Sequence, residues 1–104
     1  MRYISPLECE SRRKNNELTI IDIREKYEYE ICDTGFKNIP MAEITNNVSI
    51  LSKDTIHAIL CRSGKRAEAL VNFLETEYQY KNLLIIEGGV IAWANEINST
   101  LQID

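Results

Sequence analysis

The stretch TIHAILCRSGKRAEALVNFL, residues 55–74, reads as a complete strand–loop–helix unit. Residues 55–60 form an apolar run of the length of a buried strand. Beyond the loop, apolar residues recur at the i, i+3, i+4, i+7 spacing of one helix face: Ala67, Leu70, Val71 and Leu74. Ligands of α/β proteins bind where strands end and helices begin, so this stretch predicts both a fold class and the place of a site.

The same alternation of strands and helices is predicted along the rest of the chain. Further short strands are expected at residues 18–22, 38–40 and 83–86. Helices are expected from a Ser5 cap to about residue 14, at 25–31 and at 90–97, while residues 41–51 suggest a short helix broken near Asn46 and Asn47. Short apolar strands that alternate with helices indicate an α/β fold with a parallel sheet.

Length and composition describe one ordinary globular domain, residues 1–104, that is 44% hydrophobic and 27% charged. The formal net charge is −4, which argues against nucleic acid or an anionic membrane as a partner. No apolar run approaches the ~20 residues of a membrane span, and the first residues do not resemble a signal peptide.

The cysteines number three, Cys9, Cys32 and Cys61, and no C-x-x-C pair occurs. An odd count at wide spacing predicts free thiols in a reducing compartment, which we expect to be the cytoplasm. Together with His57 they match no usual zinc-ligand spacing, so no metal is expected.

The loop after the central strand places a thiol among positive charges. Cys61 is followed by Arg62, Lys65 and Arg66, and Gly64 permits a tight turn into the helix. Helix N-termini and nearby cations both stabilise the thiolate form of a cysteine, which is a nucleophile, and also attract anions. The alternative is a buried core cysteine followed by solvated cations, but basic residues in a first helical turn oppose the helix dipole. We therefore predict a reactive, anion-binding Cys61.

Four stretches in order resemble the rhodanese-like sulfurtransferases. They are CRSGKRA at 61–67, LTIIDIRE with EYE at 18–30, NIP at 38–40, and EGGVIAW at 87–93. Together they span about residues 4–97, nearly the whole chain. Between residues 30 and 38 the chain departs from the pattern of the family, so nothing is transferred to that segment.

This resemblance implies a five-stranded parallel sheet flanked by helices on both faces, and a sulfurtransferase that needs no cofactor. Cys61 would carry a sulfane sulfur as a persulfide, taken from thiosulfate or a protein persulfide and passed to a thiophilic acceptor. The backbone of residues 62–66 would form the cradle, with Ser63 donating to the persulfide. The substrate-binding residues would be Arg62, Ser63, Gly64, Lys65, Arg66 and Arg24, with Asp22 supporting them.

The residues WANEIN at 93–98, with Leu101, resemble the end of rhodanese domains attached to molybdopterin- and thiamine-type adenylyltransferases. The resemblance therefore implies a sulfur-carrier protein or an adenylyltransferase as a possible partner.

Several residues admit two interpretations. Asp22 and Arg24 either shape the substrate pocket or form an ion pair that ties loops together. Gly88, Gly89 and Trp93 are interpreted as a tight turn and a core anchor. His57 lies four residues before the thiol, about 13 Å along a strand, too far for a base, and is interpreted as structural. Cys32 is either an incidental cysteine or a second, resolving thiol.

Two other function classes remain open. Cysteine-dependent phosphatases and arsenate reductases share the architecture but use a Cys-x5-Arg loop, whereas here four residues separate Cys61 from Arg66. The resemblance implies that this shorter loop suits a persulfide sulfur better than a tetrahedral phosphate, and a tighter anion cradle is the physical reason. Rhodanese-like modules that only bind partners lack the cysteine, and this chain retains it.

Overall fold

A computed structural model describes residues 1–103 as a five-stranded sheet with helices packed on it. The strands are β1 (Tyr3–Ile4), β2 (Thr19–Asp22), β3 (Lys37–Asn38), β4 (His57–Leu60) and β5 (Leu83–Ile86). They lie in the order β1-β5-β4-β2-β3, and every neighbouring pair is parallel. All carboxyl ends of the strands therefore meet at one edge, with β4 in the centre.

Helices cover both faces of this sheet. They are α1 (Pro6–Lys14), α2 (Lys26–Ile31), α3 (Met41–Asn46), α4 (Lys65–Tyr78) and α5 (Gly89–Glu96). Alternate residues of the buried strands face opposite sides, so one core joins Ile21 and Ile59 to α3 and α4. The other core joins Ile20 and Leu60 to α1 and α5. The predicted α/β fold, a five-stranded parallel sheet with helices on both faces, is thus confirmed.

Local sequence signals placed most of these elements. The Ser5 hydroxyl accepts a hydrogen bond from the Glu8 amide, so Ser5 is the N-cap of α1, as the capping pattern predicts. The ambiguous residues 41–51 divide into α3 and a short 3₁₀ turn, Val48–Ile50, and the break falls at Asn47. Strand β1 was not predicted, because two residues are too few to show a period, and it forms by pairing with β5.

His57 is a structural residue at the start of β4, far from the end that carries Cys61. Its ring is buried, with Nδ1 2.9 Å from the Thr19 hydroxyl and Nε2 3.0 Å from the Ser52 carbonyl. Burial lowers the pKa of His57, which disfavours its charged form. These contacts agree with its interpretation as a structural residue.

None of the helices in residues 1–103 is both long and apolar enough to cross a membrane.

Candidate active site

Cys61 follows the last residue of β4, at the carboxyl edge of the sheet, and begins the loop that leads into α4. Its Sγ lies 3.0 Å from the Gly64 amide nitrogen and 3.4 Å from that of Ala67, and accepts a hydrogen bond from each. The residue is only 1% exposed. Two backbone donors at the N-terminus of a 14-residue helix thus point at a nearly covered sulfur, an arrangement that stabilises negative charge on it.

Gly64 makes the close turn possible. It is the N-cap of α4 and has φ +106°, a left-handed conformation that costs glycine little and other residues more. The chain thereby turns from the strand into the helix within four residues, 61–64. This turn brings the amides of Gly64 and Ala67 back onto the sulfur that precedes them.

Helix α5 holds the loop from the other side. The first-turn amides of Val90 and Ile91 donate to the carbonyls of Cys61 (2.8 Å) and Arg62 (3.2 Å). Those donors have no partner within their own helix, so the loop uses groups that would otherwise need water. Because the peptides are trans, the amides that follow these two carbonyls point away from α5.

Gly89 lets α5 approach this closely. A Cβ on Gly89 would lie 2.3 Å from the Cys61 carbonyl oxygen and 2.5 Å from that of Arg62. A Cβ on Gly88 would lie 2.6 Å from the Ala92 side chain. Trp93, 3% exposed, packs edge-on against Phe36. The interpretation of this segment as a tight turn and a core anchor agrees with these contacts.

The cations of the loop differ in their surroundings. Arg62, Ser63 and Lys65 are exposed at the rim. Arg66 instead forms a two-pronged ion pair with Glu28 of α2, at 2.7 and 2.9 Å. That pair raises the pKa of Arg66 and lowers that of Glu28. The structure thus brings the predicted loop residues together around Cys61 but directs the Arg66 guanidinium toward a carboxylate.

Comparisons with known proteins identify the family of this chain. A family model described as the rhodanese-like domain matches residues 5–96. The chain belongs to the rhodanese-like family. This confirms the resemblance seen in the sequence.

Relatives of this rhodanese-like domain carry sulfurtransferase names. "Putative sulfurtransferase YtwF" of Bacillus subtilis (strain 168) is 34% identical over 83 residues, which are 79% of each chain. "Adenylyltransferase and sulfurtransferase MOCS3" of Drosophila virilis is 24% identical over 96% of this chain. The chain spans only about a quarter (24%) of that longer protein. A sulfurtransferase-type function is therefore supported at the level of the family.

A solved structure of similar size has the same fold. The rhodanese-like domain protein from Staphylococcus aureus superposes with a TM-score of 0.79 and is 28% identical, covering 100% of this chain and 99% of its own.

Asp22 and Arg24 form a buried ion pair in this rhodanese-like domain, 0% and 2% exposed. Arg24 Nη2 lies 2.8 Å from Asp22 Oδ2 and also donates to the Cys32 carbonyl, while Nη1 donates to the Glu28 carbonyl. Thr34 donates a further hydrogen bond to Asp22. These contacts tie the end of β2 to α2 and to the segment that departs from the family pattern. They support the structural interpretation of the pair, and a role of Arg24 in substrate binding stays a prediction.

Replacing Arg24 with lysine separates the two roles. Arg24→Lys keeps the charge but loses the planar fork, so we expect the free energy of unfolding to fall by about 2 kcal/mol. Urea denaturation measures this, with the half-exposed Arg12→Lys as the control, expected to cost under about 0.5 kcal/mol. A rise of more than about tenfold in KM for a sulfur donor, without loss of stability, would instead show that Arg24 binds substrate.

Two residues of the site were missed in the sequence. The predicted cradle ended at residue 66, whereas Ala67 provides one of the two donors to the sulfur. A helix start at residue 65 could have revealed it, since the first-turn amides of any helix lack intrahelical partners. Glu28 was quoted only as part of a motif, and no local signal connects it with Arg66, 38 residues away.

The other cysteines differ from Cys61 in their surroundings. All three thiols are free and buried, and burial raises the pKa of Cys9 to about 12, so this thiol stays protonated. Cys32 borders a shallow pocket lined by Arg24, Tyr27, Glu28, Ile31, Arg62 and Ile103. Within residues 1–103, no three histidine, cysteine or acidic side chains come together as a metal site.

Proposed function

We propose that this protein transfers sulfane sulfur, carrying it as a persulfide on Cys61. The observation that supports this most directly is the position of Sγ beneath the amides of Gly64 and Ala67, at the N-terminus of α4. A thiolate held there is both activated and able to share its donors with an added sulfur.

The first half-reaction loads the sulfur. The Cys61 thiolate attacks the outer sulfur of thiosulfate, a new S–S bond forms, and the original S–S bond breaks with its electron pair leaving on sulfite. Cys61 is only 1% exposed, so the donor has to reach it with its terminal sulfur while the rest of the donor stays outside the loop. The sulfonate end can then remain among the exposed side chains of Arg62, Ser63 and Lys65.

The second half-reaction unloads it. A nucleophilic acceptor such as cyanide or a thiolate attacks the outer sulfur of the persulfide, and Cys61 leaves again as a thiolate. The amides of Gly64 and Ala67 stabilise that leaving group as they stabilised the nucleophile. No redox partner is needed, because sulfur passes between nucleophiles without net electron transfer.

A protein is proposed as the physiological acceptor, of the sulfur-carrier or adenylyltransferase type. The support is the name of MOCS3, whose sequence includes a region similar to this chain. The compartment is proposed to be reducing, such as the cytoplasm, because Cys9, Cys32 and Cys61 are all unpaired and the carrier must be a free thiol.

The test is incubation of the purified protein with thiosulfate, followed by intact mass and sulfite measurement. We expect a gain of one sulfur atom per chain with release of one sulfite, and thiocyanate on addition of cyanide. Hydrolysis of an aryl phosphate without any sulfur adduct would favour a phosphatase instead. If the reduced protein shows neither a sulfur adduct nor hydrolysis, it is a binding module without catalytic activity.

A further inference from the structure

The ion pair between Glu28 and Arg66 connects helix α2 to the loop that carries Cys61. Glu28 lies on α2, and Arg66 is the last residue of the Cys61 loop, in the first turn of α4. Both carboxylate oxygens of Glu28 are used, one by each terminal nitrogen of the guanidinium. Such a two-pronged pair fixes direction as well as distance.

Glu28 is itself held in place from two sides. Its carboxylate accepts the Glu25 amide at 3.1 Å as part of a capping box, and its carbonyl accepts from Arg24. Arg24 is in turn fixed by the buried Asp22. The carboxylate is therefore a fixed charge on a rigid support, placed against the guanidinium of the thiol loop.

We infer that Glu28 sets the charge selectivity of the site, by cancelling the charge of Arg66 and so weakening the attraction for doubly charged sulfur donors. This inference rests on the proposed sulfurtransferase function. With Arg66 compensated, the exposed cations of the loop are Arg62 and Lys65. A dianion such as thiosulfate loses more attraction from this compensation than a monoanion, since Coulomb energy scales with the charge of the ligand.

Glu28 is thus a specificity-determining residue that acts through Arg66, and it does not itself touch the sulfur. Glu28 and Arg62 both line a shallow pocket beside the same loop, so the carboxylate that compensates Arg66 borders a space open to an incoming donor. The pair also reduces the positive charge that would retain sulfite after the transfer.

The test compares two donors that offer the same sulfane sulfur with different charge. Thiosulfate is a dianion at neutral pH and methanethiosulfonate is a monoanion. For Glu28→Gln we expect the ratio of kcat/KM values, thiosulfate over methanethiosulfonate, to rise about threefold through a lower KM for thiosulfate. Glutamine retains an oxygen for the Glu25 amide, so the cap of α2 is preserved.

The matched control is Glu30→Gln. Glu30 lies on the same helix and is exposed, and its side chain has no partner among residues 1–103. This variant removes the same charge from the same helix and should leave the ratio unchanged. An equal change in both variants would mean that net charge alone acts. If Glu28→Gln slows both donors equally, Glu28 only holds the loop, and the inference is overturned.

A binding measurement separates this inference from the proposed function. In the Cys61→Ser background no persulfide can form, so calorimetric titration with thiosulfate reports anion attraction alone. Glu28→Gln should tighten that binding about threefold and Glu30→Gln should not. Equal affinities would overturn the inference even if the protein transfers sulfur. Tighter binding without sulfur loading of the wild type would retain the charge effect and reject the function.

Discussion

Cys61→Ser is expected to abolish sulfur loading and to lower thiocyanate formation by at least about 1,000-fold, because a hydroxyl in this position is not ionised and is a poor nucleophile. The serine oxygen can still accept hydrogen bonds from the amides of Gly64 and Ala67, so these donors keep a partner. The cost in stability should stay within about 1–2 kcal/mol. Intact mass after thiosulfate treatment and a continuous thiocyanate assay measure the two effects.

The matched controls are the other two buried thiols. Cys9→Ser makes the same sulfur-to-oxygen change in a residue that is 0% exposed, on the opposite face of the sheet. Cys32→Ser makes it beside the pocket that borders the loop. Both should load sulfur as the wild type does. Loss of loading in Cys32→Ser would identify Cys32 as a second thiol in the transfer, and full loading of Cys61→Ser would exclude Cys61 as the carrier.

The sequence predicted the strands and helices that show a local pattern of apolar residues. The strand ending at Leu60 and the helix that follows show clear runs and spacings, and together they place Cys61 at the edge of the sheet. The position of β1 could not be predicted, because it depends on the register of Tyr3 and Ile4 against β5, 82 residues later. Such pairings are set by tertiary structure and not by local propensity.

The features of the site that could not be predicted from the sequence have the same physical origin. The cations of the loop were visible in the sequence, but the charge that compensates Arg66 comes from α2, and only folding brings the two together. Likewise the sequence predicted that Gly89 lies in a tight turn, but it could not predict how closely Gly89 approaches the Cys61 carbonyl. Local patterns locate a nucleophile, and the long-range contacts determine how its loop is held and charged.

Gly89→Ala is expected to lower the free energy of unfolding by about 3 kcal/mol and the rate of sulfur loading by about 100-fold. Its φ of +60° is unfavourable for alanine, and the added methyl would overlap two backbone carbonyl oxygens, far inside van der Waals contact. Neither carbonyl belongs to a flexible side chain, so the loop itself has to move. The hydrogen bonds from Val90 and Ile91 that hold the loop are then lost or lengthened.

Gly35→Ala is the control that separates backbone strain from the clash. Gly35 has φ +82°, also left-handed, but a Cβ there would meet nothing within 4 Å. Alanine at this position should cost about 1 kcal/mol and leave the loading rate within about twofold. Urea denaturation gives the stabilities, and loading is compared at temperatures where circular dichroism shows both variants folded. Equal losses in the two variants would mean that only the backbone conformation matters. A larger loss of rate in Gly89→Ala, measured on folded protein, is expected if α5 keeps the Cys61 carbonyl turned toward itself, so that the sulfur faces its donors.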